Sequence, residues 1–503
     1  MKNKKYIIIA VLIIVIIAVA SIIIINQPKK VEKLADIKIL DSYQNEITDY
    51  NQNSSAFTIE KEKDEDKIYV NGKEYNSGER IYKVGTYKVV VKSETKNEKS
   101  IVKINEVEKK EENTYRIYVI SETLQTLLAN LDISSNTNQK GFLWTARTTT
   151  VNLDKVKQNI PNLQLSNNNG KLEATKFKDI VVPELKEYIK NVLKEDKNAC
   201  FELYMEEDKF YLELELFGKI GLDDSRYNVI MYTNGTLGYV RQYEMTGANK
   251  YERYLKEKED YFNIVEQIKN NTKEINDYPG SYLVDKESPV FGPEFNLDYM
   301  YISTLRNNIK LMLQYPEMIK FEDEKVSKDM EKANIEKIVV QEKFDKLNEN
   351  AKNVFFDNIE LNKEELDKNY FTDANAKYLV ITGTVPIYEN IGEEKFKEII
   401  DKVKNDYGEE YTMLYKPHPR AIPTKEQEDY FNSKGIKVLP GSLPMEAISF
   451  VYPNLQLGGF GSSLYLSVDE GKTLFFFANG KEDLVEPLNK LYDSLFSQAK
   501  FYN

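Results

Sequence analysis

From residue 378 onwards, short apolar runs alternate with amphipathic stretches that have the period of a helix. The apolar runs, which predict buried strands, are 378–382, 412–415, 436–439, 455–457 and 474–477. The stretches that predict helices are 394–404, 424–432, 444–450, 462–469 and a last one that begins at 481. Strands that alternate with helices pair in parallel through right-handed crossovers. We therefore predict a doubly wound, Rossmann-like domain over 376–503, with ligands beyond the carboxyl ends of its strands.

Residues 114–290 show the same alternation with a weaker signal. The supporting segments are a strand at 115–120, a helix at 122–131 capped by Ser121, an amphipathic stretch at 177–193 and a buried run at 229–233. Charged, mostly helical sequence without a Gly-rich turn fills 300–375. The prediction is an α/β protein with two Rossmann-like domains that face each other, joined by this helical bridge.

An uncharged, apolar run at 6–25 has the length of about 20 residues that a helix needs to cross a bilayer. No clear small-x-small cleavage site precedes Asn26, which favours an anchor at 1–30 over a cleaved signal peptide. Lysines flank the run on both sides, so the side of the membrane on which the body lies stays open. We expect a protein that one N-terminal transmembrane helix holds to the membrane.

Between 32 and 110 the sequence predicts only short strands and turns. Asn71-Gly72 supplies the positive φ angles of a two-residue hairpin, and the alternating Lys and Val residues at 88–92 predict a strand. This pattern resembles bacterial immunoglobulin-like domains. We expect a small all-β sandwich whose simplest role is that of a spacer.

Charge and composition exclude several classes of partner. The formal net charge is −12, with acidic and basic residues interspersed, so no basic surface is expected to attract a phosphate backbone. The sequence therefore predicts no nucleic-acid partner. Cys200 is the only cysteine and His418 the only histidine, which excludes an internal disulfide and the common His/Cys zinc clusters.

The segment Lys416-Pro417-His418-Pro419-Arg420 directly follows a predicted strand. Prolines on both sides keep the backbone extended and hold the imidazole at the strand end. A lone histidine is more often a packed or solvated side chain than a catalyst. Here the position at the strand end and the flanking cations favour a functional role for His418.

Three other strand-end segments could contact a ligand. Glycines and two hydroxyls at 457–463 can hold a phosphate, although a tight turn capped by Ser462 explains them equally well. Glu446, in the first turn of a predicted helix, either compensates the helix dipole or accepts hydrogen bonds from a ribose. The turn Gly383-Thr384, with Tyr388 beyond it, is open to a ligand but is unspecific by itself.

Together these segments resemble the bacterial sialyltransferases of glycosyltransferase family 80. In that family a strand-end Lys-x-His-Pro precedes a helix with one Glu and a Gly loop with Ser-Ser-Leu-Tyr. Lys416, His418, Glu446 and Ser462-Ser463-Leu464-Tyr465 reproduce this order. The resemblance covers most of 115–500, and some relatives also carry an immunoglobulin-like domain before the transferase. It implies the two-Rossmann GT-B fold.

The resemblance further implies an inverting transfer of sialic acid from a CMP-sugar to a hydroxyl of a glycan acceptor. It implies neither a metal nor a cofactor, since the CMP-sugar is a substrate, and it suggests a role in surface glycan synthesis. His418 would assist the departure of the CMP phosphate. The residues implied at the donor site are Lys416, Pro419, Glu446, Ser462, Ser463, Gly383 and Thr384.

The sequence departs from the family at the catalytic base, a carboxylate in a Tyr-(Asp/Glu)-(Asp/Glu)-Gly turn. The matching turn is 232–235, in which Asn234 takes the base position without a group that accepts a proton usefully. Asp223, Asp224 and Tyr388 are candidates on the acceptor side. Two alternatives stay open: a catalytically impaired CMP-sugar-binding protein, and a transferase for another CMP-linked sugar such as Kdo. A scaffold or adhesin would bind no nucleotide.

Overall fold

A computed structural model describes most of the chain. The described residues are 37–47, 56–93, 97–170, 177–209, 211–233, 251–274, 297–319, 321, 323–385, 391–418, 421, 423–468, 471–485 and 488–503. They belong to two compact units. The smaller unit comprises the described residues up to 108 with 219–223 and 269–272, and the larger comprises the described residues of 109–218, 224–268 and 273–503.

The smaller unit consists of short antiparallel strands. They are β1 (Ile37–Asp41), β2 (Phe57–Lys61), β3 (Lys67–Val70), β4 (Lys73–Tyr75), β5 (Arg80–Ile81), β6 (Gly85–Lys92) and β7 (Asn97–Ile104). One sheet has the order β1-β2-β5 and the other β4-β3-β6-β7. Asn71 and Gly72 join β3 to β4 with φ angles of 49° and 82°, as a two-residue hairpin requires. The relation to immunoglobulin-like domains stays a prediction.

The structure corrects the prediction of a membrane anchor. Within the described ranges, no helix is both long and apolar enough to cross a bilayer. The helix Tyr251–Lys269 has the length, but it carries charged side chains from one end to the other. The predicted span at 6–25 lies outside the described residues. A single N-terminal anchoring helix is therefore not supported.

A parallel sheet forms the first half of the larger unit. Its strands are β8 (Thr114–Ile120), β9 (Lys140–Thr145), β10 (Leu163–Leu165), β11 (Cys200–Glu206), β12 (Tyr227–Tyr232), β13 (Ile309–Leu313) and β14 (Ile335–Lys337). Their order is β10-β9-β8-β11-β12-β13-β14. Strands β13 and β14 come from 300–375, where the sequence predicts mainly helices. Pairing with β12 makes the short apolar run at β13 a buried strand.

A second parallel sheet follows. Its strands are β15 (Tyr378–Thr382), β16 (Thr412–Lys416), β17 (Lys437–Val438), β18 (Gln456–Gly459), β19 (Thr473–Phe477) and β20 (Lys500–Tyr502). Their order is β17-β16-β15-β18-β19-β20. Five of these strands correspond to the apolar runs of the sequence, and β20 lies beyond the last of them. This half has the doubly wound arrangement that the alternation predicts.

Helices connect the strands of both sheets. The α-helices in the described ranges are α1 (Thr123–Ser135), α2 (Leu153–Asn159), α3 (Val182–Glu195), α4 (Tyr251–Lys269), α5 (Leu297–Ser303), α6 (Glu324–Met330), α7 (Val340–Asp345), α8 (Glu349–Asn358), α9 (Lys363–Asn369), α10 (Glu393–Tyr407), α11 (Lys425–Ser433), α12 (Met445–Val451) and α13 (Leu488–Leu491). Helix α10 buries Phe396, Ile399, Ile400 and Val403, the spacing of one amphipathic face. These side chains pack in one core with Leu379, Ile381 and Tyr415 of the second sheet.

Aromatic contacts hold α12 against α7 and α8. The ring of Phe450 in α12 lies 6.0 Å from that of Phe344 in α7 and 6.3 Å from that of Phe355 in α8, between ring centroids. The side-chain amide of Gln341 donates a 3.2 Å hydrogen bond to the carbonyl of Phe450. These contacts fix the position of α12, whose first turn carries Glu446.

Candidate functional site at the carboxyl edge of the second sheet

The strand order of the second sheet reverses next to β15. Strands β16 and β17 lie on one side of β15, whereas β18, β19 and β20 lie on the other. Thr382 at the end of β15 pairs with Gly459 at the end of β18. In open parallel sheets, ligands bind in the crevice that such a reversal creates beyond the carboxyl ends of the strands. This edge is therefore the candidate site.

Gly383 brings the ends of β15 and β16 together. Its N–H donates a 2.9 Å hydrogen bond to the carbonyl of Lys416. A Cβ atom at residue 383 would lie 2.4 Å from Oη of Tyr415, so a larger residue does not fit without a rearrangement. Thr384 follows directly and is partly buried. Two predicted donor-site residues thus lie beside the end of β16.

Lys416 ends β16, and only 4% of its surface is exposed. Its ammonium donates a 2.8 Å hydrogen bond to the carbonyl of Pro417 and a 3.1 Å hydrogen bond to the carbonyl of Gly441. Gly441 lies in the connection between β17 and α12. One buried side chain therefore ties together the loops that follow two neighbouring strands.

Lys416 and Glu446 interact electrostatically at this edge. Burial lowers the pKa of Lys416 to about 8, against the attraction of Glu446, which raises it. Burial raises the pKa of Glu446, while a hydrogen bond from its own N–H and the charge of Lys416 lower it. Since water solvates both groups poorly, polar groups of a ligand can compete effectively for them.

His418 lies two residues beyond β16 and is partly buried. Its carbonyl accepts a 2.8 Å hydrogen bond from the N–H of Ala421. This bond and the end of β16 fix the backbone of His418 at the same edge as Lys416. Pro419, another predicted donor-site residue, lies outside the described residues.

The glycine loop after β18 approaches β15 closely. Gly459 has a φ of 135°, and a Cβ atom there would lie 2.4 Å from the carbonyl oxygen of Thr382. Oγ1 of Thr382 lies 2.7 Å from Oη of the buried Tyr465, which belongs to the turn after the loop. The contact between Thr382 and Tyr465 and the close approach of Gly459 hold the glycine loop against the end of β15.

Two serines lie at the end of this loop. Oγ of Ser462 accepts a 3.2 Å hydrogen bond from the N–H of Leu464 and caps a short 3-10 turn, Ser463–Leu466. This turn takes the place of the longer helix that the sequence predicts at 462–469. Ser463 is exposed, and its hydroxyl makes no hydrogen bond with the described residues. Ser463 therefore offers a hydroxyl to a ligand, whereas Ser462 already has a structural role.

The carboxyl edge of the first sheet holds a buried carboxylate. Glu206 ends β11 and accepts hydrogen bonds of 2.6 Å from both the N–H and the hydroxyl of Ser121 and of 2.7 Å from the N–H of Glu122. The ammonium of Lys209 donates another of 2.5 Å. Ser121 and Glu122 form the turn between β8 and α1, a place where anions often bind. The chain's own carboxylate fills that place.

Glu122 lies at the same edge and is more accessible. Its Oε2 accepts a 3.0 Å hydrogen bond from Arg147, and the two side chains are 29% and 37% exposed. One turn further along α1, the amide of Gln125 donates a hydrogen bond to the carbonyl of Thr233, just beyond β12. Burial raises the pKa of Glu122, Arg147 lowers it and the charge of Glu206 raises it. Helix α1 thus begins beside Thr233, the last described residue after β12.

Of the predicted acceptor-side residues, the structure describes Asp223 and Asp224. Asp223 belongs to the smaller unit, where it accepts a 3.4 Å hydrogen bond from the N–H of Val84. Asp224 precedes β12, at the amino end of the strand, and forms a 2.9 Å ion pair with the buried Arg306. Asn234 and Tyr388 lie outside the described residues.

Sequence reasoning missed Glu122, Arg147, Glu206 and Lys209. The available signal was an acidic residue at the end of an apolar strand with a lysine three residues later, as in 206–209. Across the described ranges, no group of three or more His, Cys, Asp or Glu side chains is arranged to hold a metal ion.

Comparison with known proteins identifies the fold. No family model matches the chain, and no curated protein matches its sequence. Solved structures do match: a sialyltransferase from Photobacterium damsela has a TM-score of 0.57 at 14% identity, over 95% of this chain and 96% of that chain. A 2,6-sialyltransferase from Photobacterium sp. JT-ISH-224, solved with the donor product CMP and the acceptor substrate lactose, has a TM-score of 0.54 at 15% identity, over 94% and 93%.

The GT-B domain of a sialyltransferase from Photobacterium damselae also matches, with a TM-score of 0.54 at 15% identity, over 77% of this chain and 99% of that chain. At such low identity the likeness concerns the fold. The protein therefore has the GT-B fold of these bacterial sialyltransferases, which confirms the prediction of two Rossmann-like halves.

Proposed function

We propose that this protein is a glycosyltransferase that moves sialic acid, or a related ulosonic acid, from a CMP-sugar to a glycan hydroxyl with inversion at the transferred carbon. The observation that carries the proposal is the convergence of four strand-end segments at one edge. Gly383, Lys416, Glu446 and the loop that contains Ser463 surround the strand reversal of the second sheet. These are the residues that support the resemblance to family 80 sialyltransferases.

Loss of the CMP group produces negative charge that the site must stabilise. Cleavage of the donor leaves a phosphate monoester, and donors placed where this charge develops lower the barrier. In the proposal, His418 donates a hydrogen bond or a proton to that phosphate, and the hydroxyls of Ser462 and Ser463 bind it. Lys416 and Glu446 bind the cytidine, as the family resemblance implies. The transfer requires neither metal nor cofactor in this proposal.

The first sheet offers a less suitable place for the donor phosphate than the second sheet. Its turn between β8 and α1 already binds the carboxylate of Glu206, through the N–H groups of Ser121 and Glu122. A second anion at that turn would meet a buried negative charge. A phosphate is therefore expected at the second sheet, which leaves the first sheet to the acceptor.

The test uses the full chain, CMP-sialic acid and a set of galactosides, among them lactose. We expect release of CMP that depends on the acceptor and formation of a sialylated product detected by mass spectrometry. Parallel reactions with CMP-Kdo separate a sialic acid donor from another CMP-linked sugar. Absence of CMP release with every donor and acceptor pair would contradict the assignment as a transferase.

A second candidate, a protein that binds a CMP-sugar without transferring it, is favoured by the residue types that follow β12. Thr233 is buried and its carbonyl is bound by Gln125, and neither Thr233 nor Asn234 offers a carboxylate. Calorimetry with CMP separates the two candidates. Binding without turnover, with turnover appearing in Asn234→Asp, would favour this second function.

A further inference from the structure

Transfer of a sugar to a hydroxyl requires a group that takes up the hydroxyl proton. The inference about this group rests on the proposed transferase function. The two residues after β12 supply no carboxylate, since residues 233 and 234 are Thr and Asn. An amide or a neutral hydroxyl is a poor proton acceptor near neutral pH. If the protein is a transferase, its base must come from another segment at the acceptor side.

Glu122, Glu206 and Glu207 lie at the carboxyl ends of β8 and β11 in the first sheet. Glu206 and Glu207 are 0% and 2% exposed. The carboxylate of Glu206 also accepts hydrogen bonds from Ser121, Glu122 and Lys209. A group that is buried and saturated in this way cannot reach a substrate hydroxyl. Glu122, with 29% of its side chain exposed, can.

The carboxylate of Glu122 has one occupied and one open oxygen. Oε2 accepts a 3.0 Å hydrogen bond from Arg147, and Oε1 accepts none from the described residues. The backbone of Glu122 is fixed because its N–H donates to Glu206. The side chain is therefore anchored at its base and at one oxygen, while the other oxygen remains available.

The position of Glu122 suits an acceptor-side base. It precedes α1, and Gln125 in the first turn of α1 binds the carbonyl of Thr233. The residue is thus one helical turn from the contact with the segment in which the resemblance places a carboxylate. We propose that Glu122 is the catalytic base, with Oε1 accepting the proton of the acceptor hydroxyl.

The charges around Glu122 fit this role. The groups that act on it are Arg147, Glu206 and Lys209. Burial and the charge of Glu206 raise its pKa, whereas Arg147 and Lys209 lower it, with the net effect a raised pKa. A carboxylate with a raised pKa binds a proton more strongly than a solvated glutamate does, and it is therefore a better general base.

In the transfer step one bond forms and one bond breaks. The acceptor oxygen forms a bond to the anomeric carbon of the donor sugar, and the bond from that carbon to the CMP phosphate oxygen breaks. The electron pair of the broken bond leaves with CMP. The hydroxyl proton passes to Glu122, which later releases it to solvent.

The experiment compares the full wild-type chain with Glu122→Gln. Glutamine keeps the size of the side chain and an oxygen for Arg147 but does not take up a proton. We expect kcat for acceptor-dependent CMP release to fall by a factor on the order of 10²–10⁴, with the affinity for CMP unchanged in calorimetry. The acidic limb of the pH profile of kcat/KM should disappear in the variant, and Glu122→Asp should restore part of the rate.

Glu111→Gln is the matched control. Glu111 pairs with Arg116 near the amino end of β8, whereas Glu122 follows the carboxyl end. The control variant therefore breaks a similar ion pair at the other end of the same strand. It should retain the wild-type rate. A Glu122→Gln rate within about threefold of wild type would overturn the proposal, as would a parallel loss of CMP affinity and thermal stability. If the wild-type chain itself releases no CMP with any acceptor, the proposed function fails and the base assignment fails with it.

Discussion

The buried ammonium of Lys416 donates a 3.1 Å hydrogen bond to the carbonyl of Gly441, 25 residues further along the chain. This contact links the segment that contains His418 to the connection that leads into α12 and Glu446. The hydrogen bond of one buried side chain thus holds two site segments together that lie far apart in the sequence. A lysine that is almost fully buried is costly, which makes its titration a useful probe of the site.

Stability should depend on pH through Lys416. Its pKa in the folded protein is about 8, below the ordinary value of 10.5. Between these values the unfolded chain binds more protons than the folded one, so the contribution of Lys416 makes the folded state more stable as pH rises through this window. Lys416→Met lacks this contribution.

The measurement is the thermal midpoint of wild type and Lys416→Met at pH 7 and at pH 10. We expect the wild type to gain several degrees relative to the variant at the higher pH, since about 1 kcal/mol shifts the midpoint by roughly 2–4 °C for domains of 150–250 residues. Titrating groups that do not interact with Lys416 are common to both proteins and cancel in the difference. Parallel pH curves for the two proteins would contradict the buried, weakly basic state of Lys416.

The two serines of the glycine loop should respond differently to alanine. Ser463→Ala removes an exposed hydroxyl without a partner among the described residues, so we expect weaker CMP binding, by roughly tenfold, and an unchanged thermal midpoint. Ser462→Ala removes the cap on Leu464, so it should also cost about 0.5–2 kcal/mol of stability. Calorimetry with CMP and thermal unfolding measure the two effects. Equal loss of stability in both variants would refute this division.

The strands of the second sheet could be predicted because each apolar run is short and bounded by turn residues. The end of the chain shows the limit: β20 has three residues and becomes a strand only by pairing with β19. β13 is similar, because its five residues lie within charged sequence and gain their strand character from β12. The strand propensity of a short window carries no information about the neighbouring strand with which that window will pair.

The candidate site was predictable where it depends on strand ends and not where it depends on distant contacts. Lys416, His418, Glu446 and Ser463 follow from the alternation and from the family resemblance. The hydrogen bond between Glu206 and Ser121 joins residues 85 positions apart and leaves no local pattern, whereas Lys209 lies only three residues from Glu206. Asp224 is a residue that the sequence wrongly assigns to the site. Its closeness in sequence to β12 suggested the acceptor side. It precedes the strand, which places it at the edge opposite to the strand's carboxyl end.

Gly459 should tolerate no side chain. A Cβ atom there would lie 2.4 Å from the carbonyl oxygen of Thr382, and its φ of 135° is strained for other residues. Gly459→Ala should therefore lower stability by about 1–3 kcal/mol and weaken CMP binding, because the loop must move away from β15. Gly461 provides a control in the same loop, since its nearest contact would be Leu488 Cδ1 at an ordinary 3.4 Å. If Gly461→Ala were as harmful as Gly459→Ala, the close approach to β15 would not be the cause.

His418 should contribute mainly to the rate if it stabilises the leaving phosphate. Charge on that phosphate grows as the bond to the sugar breaks, so a donor at this place acts more strongly on the transition state than on the bound donor. His418→Ala should lower kcat for CMP release by a factor on the order of 10² or more, with a smaller change in KM. His418→Asn still donates a hydrogen bond but no proton. If His418 acts by hydrogen bonding, the kcat of His418→Asn should lie between those of wild type and His418→Ala. If His418 transfers a proton, the kcat of His418→Asn should equal that of His418→Ala. An unaltered rate in His418→Ala would remove the imidazole from the chemistry and leave it as a packed side chain at the end of β16.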